Sequence, residues 1–253
     1  MVYNGNISER EGKIAMVGYF GALAAGLLLL ILYIREKIRG ASPKALLLKT
    51  LVSVAFLEAA FCPLILMPSE NASDRLFGFL VLAGLFFGLL GDIYLDLKLV
   101  YPASDKIYTL TGFGVFAVGH FFFMAAMVLR YGEGTEWPYL VLPVLLGIAF
   151  GIGNGLLEKK MGLTYGFYKT VVILYGAILG TATLLAGSLA LSRGFSVPAL
   201  NLFFIGLAAF MISDLVLSGS YFGEGHDRPI DTILNYIFYY GAQFLIAATV
   251  LLV

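Results

Sequence analysis

The chain has 253 residues, enough for one or two water-soluble domains, but 60% of them are hydrophobic, 13% are charged and the mean hydropathy is +0.92. Water-soluble domains carry about 25% charged residues, so this is the composition of an integral membrane protein. Sixteen Lys and Arg balance sixteen Asp and Glu, which leaves no basic surface for nucleic acid; the single Cys62 and the two histidines, His120 and His226, exclude a disulfide scaffold, a multi-cysteine zinc site and any site built from three histidines.

A transmembrane helix needs roughly 20 mostly apolar residues. Eight stretches qualify in chain order: 14–34, 44–67, 76–97, 108–129, 137–157, 167–191, 197–219 and 230–253. The gaps are short and hold breakers such as Gly40-Ala41-Ser42-Pro43, Pro68-Ser69-Glu70-Asn71 and Gly223-Glu224-Gly225-His226. The expected fold is an all-α, eight-helix transmembrane bundle forming a single polytopic domain, with any chemistry inside the bundle or at its edge. The first apolar run is too long for the core of a signal peptide, and Arg35, Lys37, Arg39 and Lys44 follow it instead of a small-residue cleavage site.

Loops after helices one, three, five and seven hold ten Lys and Arg: Arg35, Lys37, Arg39, Lys44, Lys98, Lys106, Lys159, Lys160, Lys169 and Arg228. The N-terminal tail and the remaining loops hold five: Arg10, Lys13, Arg75, Arg130 and Arg193. Cytoplasmic loops are enriched in positive charge, so the ratio favours both termini outside.

Ionisable groups within spans are costly and usually functional. They are Lys49, Glu58, Asp92, His120 and Asp214, with Asp96, Lys169 and Asp231 at span edges. Depth follows from 1.5 Å of rise per residue. Lys49, Asp92, Asp214 and Asn235 each lie about five residues from the same face, and Asn154 about three. Tyr175 and Tyr239 lie eight or nine residues in, and His120 and Gln243 near the middle. Six helices therefore deliver polar side chains to one stratum, roughly 5–12 Å below one face, while the opposite half is nearly all apolar. A polar layer confined to one leaflet suits an amphiphile whose head group sits at the interface. Transporters place their sites near the midplane instead, which favours an enzyme.

Asp92 and Asp214 are 122 residues apart, close to half the chain and four helices on. Two parallel four-helix repeats would explain that offset. Gly91 and Ser213 are small residues beside each carboxylate and permit close helix approach. Two carboxylates in one low-dielectric site cannot both ionise cheaply, so one keeps its proton and the pair supplies an acid and a base. Gly-x-Ser-x-Gly, His-Glu-x-x-His and P-loop motifs are all missing from the sequence.

Each polar residue also has a purely structural explanation. Asp92 and Asp214 could be paired with Lys49 for stability alone, and Lys49 could either bind a phosphate or neutralise an aspartate. His120 could donate a proton or make an interhelical hydrogen bond. Glu58 is deep and less well placed, Asp96 reads as a solvated carboxylate near the interface, and His226 as a loop residue without a role. Tyr165 and Tyr168 read as part of an interfacial aromatic belt.

Four short motifs in order resemble the YhhN-like lysoplasmalogenase family: Gly91-Asp92 on helix three, Gly119-His120 followed by three phenylalanines on helix four, Ser213-Asp214 on helix seven, and Tyr239-Tyr240-Gly241-Ala242-Gln243 on helix eight. Lys49 occupies the place of that family's helix-two lysine, and the resemblance runs from about Lys49 to Gln243. Thr50 stands where proline is common, and Ser218-Gly219 where a step containing alanine is expected; neither touches the aspartates. The resemblance implies hydrolysis of the vinyl ether bond of lysoplasmalogens, lysophospholipids with an ethanolamine or choline head group, to a fatty aldehyde and a glycerophospho head group. The expected catalytic residues are Asp92 and Asp214, in either order of roles. Lys49, His120, Asn154, Tyr175, Asn235, Tyr239 and Gln243 are the expected supporting residues. The chemistry requires no metal or cofactor, and the expected partners are the lysophospholipid and membrane lipids. The alternative is a proton-coupled transporter of a lipid or small amphiphile that uses the same carboxylates.

Overall fold

A computed structural model of the chain describes residues 2–66, 71–225 and 228–253, with side chains from Glu11 onward. The expected breaker Pro68-Ser69-Glu70 and His226 lie outside the described residues. Eight α-helices follow one another: α1 Val2–Arg39, α2 Pro43–Leu66, α3 Ala72–Val100, α4 Asp105–Tyr131, α5 Trp137–Leu157, α6 Lys169–Ser192, α7 Pro198–Phe222 and α8 Pro229–Ala248. Among the described residues, eight helices are long and apolar enough to cross a membrane, and the only extended pairing is a bridge between Leu163 and Gly223. The protein is an all-α, multi-pass membrane bundle.

Local chemistry sets the helix ends. Proline opens α2, α7 and α8, where its missing N–H costs nothing. The side chain of Asn71 caps α3 by accepting from the Ser73 amide at 2.9 Å. Gly40, at φ +134°, ends α1 in a conformation that a side chain would resist. The charged ends of two helices run past the apolar stretches. α1 reaches Arg39 instead of residue 34, and α3 reaches Val100 instead of 97. Both extensions matter, because they convert Lys37 and Lys98 from loop residues into helix residues facing the bundle.

Six helices form a closed ring in the order α2, α3, α4, α6, α7, α8, with α8 returning to α2. α1 lies outside against α2 and α8, and α5 lies outside against α6. Exchanging the two halves of the chain maps this ring onto itself and α1 onto α5, which is the relation a duplicated four-helix unit requires. Helices approach closely where glycine removes a side chain. A Cβ at Gly119 would lie 2.9 Å from the Gly84 carbonyl, and one at Gly91 would enter the ring of Phe116, so α3 and α4 are almost in backbone contact. Gly147, Gly151 and Gly155 do the same for α5, each facing α6.

Eight crossings put both termini on one side, and the excess of Lys and Arg in the loops after helices one, three, five and seven predicts that this side is outside. In a Cys62→Ser background, single cysteines introduced at Lys13 and Lys106 should react with an impermeant thiol reagent from opposite sides, Lys13 from outside. Labelling of both from one side contradicts the helix count.

Candidate active site

The ring encloses a cavity of 430 Å³ to which all six of its helices contribute a wall. Lys49 comes from α2, Asp92 from α3, Phe113 and Phe116 from α4, and Tyr175 from α6. Asp214 and Tyr221 come from α7, and Asn235, Tyr236 and Tyr239 from α8. The two aspartates on which the sequence reading centres thus face one chamber, and their surroundings differ.

Asp92 is fully engaged. Its Oδ1 pairs with the Lys49 ammonium at 3.3 Å. Its Oδ2 accepts from Ser53 at 2.6 Å and from Tyr239 at 2.7 Å. The Tyr239 hydroxyl in turn accepts from the Gln243 amide at 3.0 Å. Lys49 also reaches Asp96 Oδ1 at 3.3 Å, and Asp96 takes a second ammonium, Lys37, at 3.0 Å and the Tyr33 hydroxyl at 3.1 Å. Two lysines and two carboxylates thus close a neutral network across the ends of α1, α2 and α3. Charges this deep are tolerable only when so paired.

Asp214 has no cation. Its Oδ2 accepts from the Tyr175 hydroxyl at 2.7 Å, and no lysine, arginine or histidine among the described residues lies within ion-pairing distance of it. Two of these hydrogen bonds to the aspartates are related. Ser53 and Asp92 are 39 residues apart, as are Tyr175 and Asp214, so α2 serves α3 as α6 serves α7.

Two further spaces meet the central chamber. Toward the loops after α1, α3, α5 and α7, a polar vestibule of 1060 Å³ is lined by Lys37, Lys98, Asp105, Thr109, Tyr168 and Thr232, among others. It shares Leu217, Tyr221, Asn235 and Tyr236 with the chamber, and these four form the neck between them. On the other side of Asp214 and Tyr175, an apolar space of 540 Å³ runs between α4, α5, α6 and α7 past Phe150, Val172, Leu179 and Met211. The loop after α5 borders it. There the Thr164 amide bonds the Phe222 carbonyl at 2.7 Å, while the Lys169 ammonium and the Tyr165 amide hold the Glu158 carboxyl below the usual range.

The structure places the expected residues as follows. Lys49, Asp92, Tyr175, Asp214, Asn235 and Tyr239 line the chamber, Gln243 stands directly behind Tyr239, and Asn235 bonds the Ser213 carbonyl at 2.8 Å. Asn154 borders the apolar space instead. His120 is neither an interhelical hydrogen-bond partner nor a wall of the chamber. Its Nδ1 donates to the Phe116 carbonyl one turn earlier at 2.7 Å, and its buried Nε2 has no partner among the described residues. Its ring packs on Phe210, with Phe123 and Tyr175 beside it. Lys49 is bound between carboxylates and is not available to a phosphate. Asp96 is 4% exposed, not solvated, because α3 continues past it. Tyr165 lines the apolar space and Tyr168 the vestibule, so neither is merely a belt residue. Glu58 faces outward into an apolar groove with Phe61, Phe79 and Phe86, away from the chamber.

Ser53, Tyr33, Lys37 and Lys98 escape a reading by hydropathy. Ser53 was discoverable as the residue one turn after Lys49 on the same helix face.

The model of the YhhN family matches residues 44–250, a segment that includes the six helices of the ring except for the first residue of α2. The chain belongs to the YhhN family. No curated protein and no solved structure matches it. The YhhN match begins one residue after the start of α2, so α1, which supplies Lys37 and Tyr33 to the charge network, precedes it.

Asp96→Asn leaves one buried ammonium, Lys49, and one half-buried ammonium, Lys37, facing one carboxylate. Removing one member of such a network costs about 3–5 kcal/mol, which thermal unfolding in detergent would register as a lowered midpoint. Pairing it with Lys37→Met restores neutrality and should recover part of the loss. An Asp96→Asn protein as stable as the wild type contradicts the network's structural role.

Proposed function

We propose that this YhhN protein is a membrane-embedded hydrolase that cleaves the vinyl ether bond of lysoplasmalogens. One observation carries the reading. Two carboxyl groups with opposite electrostatic settings face one chamber, at the point where a polar vestibule meets an apolar space lined by Phe150, Val172, Leu179 and Met211.

A vinyl ether hydrolyses when a proton adds to the carbon remote from oxygen, leaving an oxocarbenium ion. Asp214 is assigned the acid, because a buried carboxylate with no cation beside it is expensive and the neutral acid is not. Asp92 is assigned the anion, its charge fixed by Lys49 and by two hydroxyl donors. The proton passes from Asp214 to carbon, and the Asp92 carboxylate offsets the positive charge that develops. Asp214, now a carboxylate, takes a proton from the water that adds to the oxocarbenium carbon. The resulting hemiacetal breaks its bond to the glycerol oxygen, which leaves as an alcohol, and the aldehyde is released. The sum is one water consumed, with the acid regenerated. Tyr175 and Tyr239 hold the two carboxyl groups by one hydrogen bond each, and Phe113, Phe116 and Tyr236 keep bulk water from the chamber.

Purified protein in detergent should release fatty aldehyde from lysoplasmenyl-ethanolamine without sensitivity to chelators. A proton-coupled transporter would release none, since detergent leaves no gradient to use. Asp92→Asn and Asp214→Asn should each abolish cleavage while the protein stays folded, because general acid catalysis alone contributes on the order of 10²–10⁴ in rate. Lys49→Met should lower kcat and leave KM near the wild-type value, since the lysine holds Asp92 and not the substrate. An Asn variant retaining more than about a tenth of the activity removes that carboxyl from the mechanism.

A further inference from the structure

One cation in the vestibule has no counter-ion within ion-pairing distance among the described residues. Lys98 is 9% exposed, and its ammonium sits 3.3 Å from the centre of the Tyr221 ring. Among the described residues it has no hydrogen bond and no ion pair. The other vestibule lysine, Lys37, is committed to Asp96, so Lys98 is the positive charge left available. A buried, unpaired ammonium held only on an aromatic face is costly unless something else satisfies it.

The vestibule also holds a carboxylate in the complementary situation. Asp105, the first residue of α4, accepts from Thr109 at 3.3 Å and from Tyr168 at 3.1 Å, both neutral hydroxyls, and no cation among the described residues pairs with it. Lys98 and Asp105 line one space without forming a salt bridge to each other. An ammonium and a carboxylate kept apart across a cavity match a ligand that carries both signs.

Geometry relates this pair to the chamber. Lys98 follows Asp92 by six residues on α3, about 9 Å along the helix axis. In a lysophospholipid ether the ether oxygen and the phosphorus are separated by five bonds, about 6 Å when extended, and the lysine side chain spans the remainder. A substrate whose ether lies at the aspartates therefore carries its phosphate through the neck of Leu217, Tyr221, Asn235 and Tyr236 to the level of Lys98.

We infer that the vestibule is the head-group site for a zwitterionic phosphodiester, with the phosphate on Lys98 and the head group's ammonium on Asp105. This rests on the vinyl ether hydrolase reading and adds the residues that select the substrate. The recognition is charge-assisted on both sides, which fixes the lipid in one orientation: ether inward, head group toward the loops.

Three substrates test it: 1-alkenyl-glycerophosphoethanolamine, the same lipid ending in a bare phosphate, and the neutral 1-alkenylglycerol. Lys98→Met should reduce the preference for the phosphoethanolamine lipid over the neutral one by about ten- to hundredfold, through KM, and Lys98→Arg should retain most of it. Asp105→Asn, which keeps the acceptor for Thr109 and Tyr168, should shift preference toward the bare phosphate by about tenfold. Unchanged preference in Lys98→Met, or equal loss on all three lipids, overturns the proposal. If the wild-type protein releases aldehyde from none of them, the hydrolase reading fails, and binding decides the head-group site separately. The non-cleavable 1-alkyl-glycerophosphoethanolamine should then raise the melting temperature of wild type and not of Lys98→Met. An equal rise in both proteins overturns the site. A Lys98-dependent rise produced equally by inorganic phosphate also overturns it, because the ligand is then free phosphate.

Discussion

A single ammonium group buried between two carboxylates organises the ring. Lys49 is 4% exposed, Asp92 2% and Asp96 4%, so none can rely on water, and each depends on the others for its charge. That dependence reaches outward. Asp96 recruits Lys37 and Tyr33 from α1, while Asp92 recruits Ser53 from α2 and Tyr239 from α8. Four helices are thereby fixed in register at one depth by electrostatics, in a medium where apolar packing alone gives little preference for one register over another. Close glycine contacts between α3 and α4 then set how near these helices come.

The same constraint makes the two halves of the molecule chemically unequal. The neighbour relations of α2–α3 and α6–α7 correspond, down to a hydroxyl donor 39 residues before each aspartate. Yet the second half has no counterpart of Lys49: the position 122 residues on is Val171. A duplicated scaffold with a cation on one side only gives one carboxyl a counter-ion and leaves the other without one among the described residues. Such a pair, facing one chamber, is what acid and charge stabilisation require of two identical side chains.

Much of this is legible in the sequence, and each failure has its own physical cause. The bundle and its one-sided polar layer follow from apolar run lengths and from counting residues inward, which places Asp92, Asp214, Lys49 and Asn235 at matching depth without coordinates. Counting cannot say where a helix stops once charged residues appear, because lysine at a helix end is compatible with both a loop and a snorkelling helical side chain. Lys37 and Lys98 were lost to the loops for that reason, and Asp96 to the interface. Nor does depth fix direction around the helix axis. His120 has the depth of a site residue, but it is turned toward Phe116 and Phe210 and bonded to its own backbone. Ser53 is lost for the opposite reason: a small hydroxyl is unremarkable in an apolar span, and only its one-turn spacing from Lys49 marks it.

In the proposed reaction one fixed carboxylic acid delivers a proton to carbon from one side of the chamber. Cleavage of the vinyl ether in D₂O tests it most directly. The aldehyde should carry one deuterium at the carbon next to the carbonyl, in a single configuration, because Asp214 and the substrate meet in one orientation. Aldehyde without deuterium at that carbon, or with deuterium equally in both configurations, contradicts it.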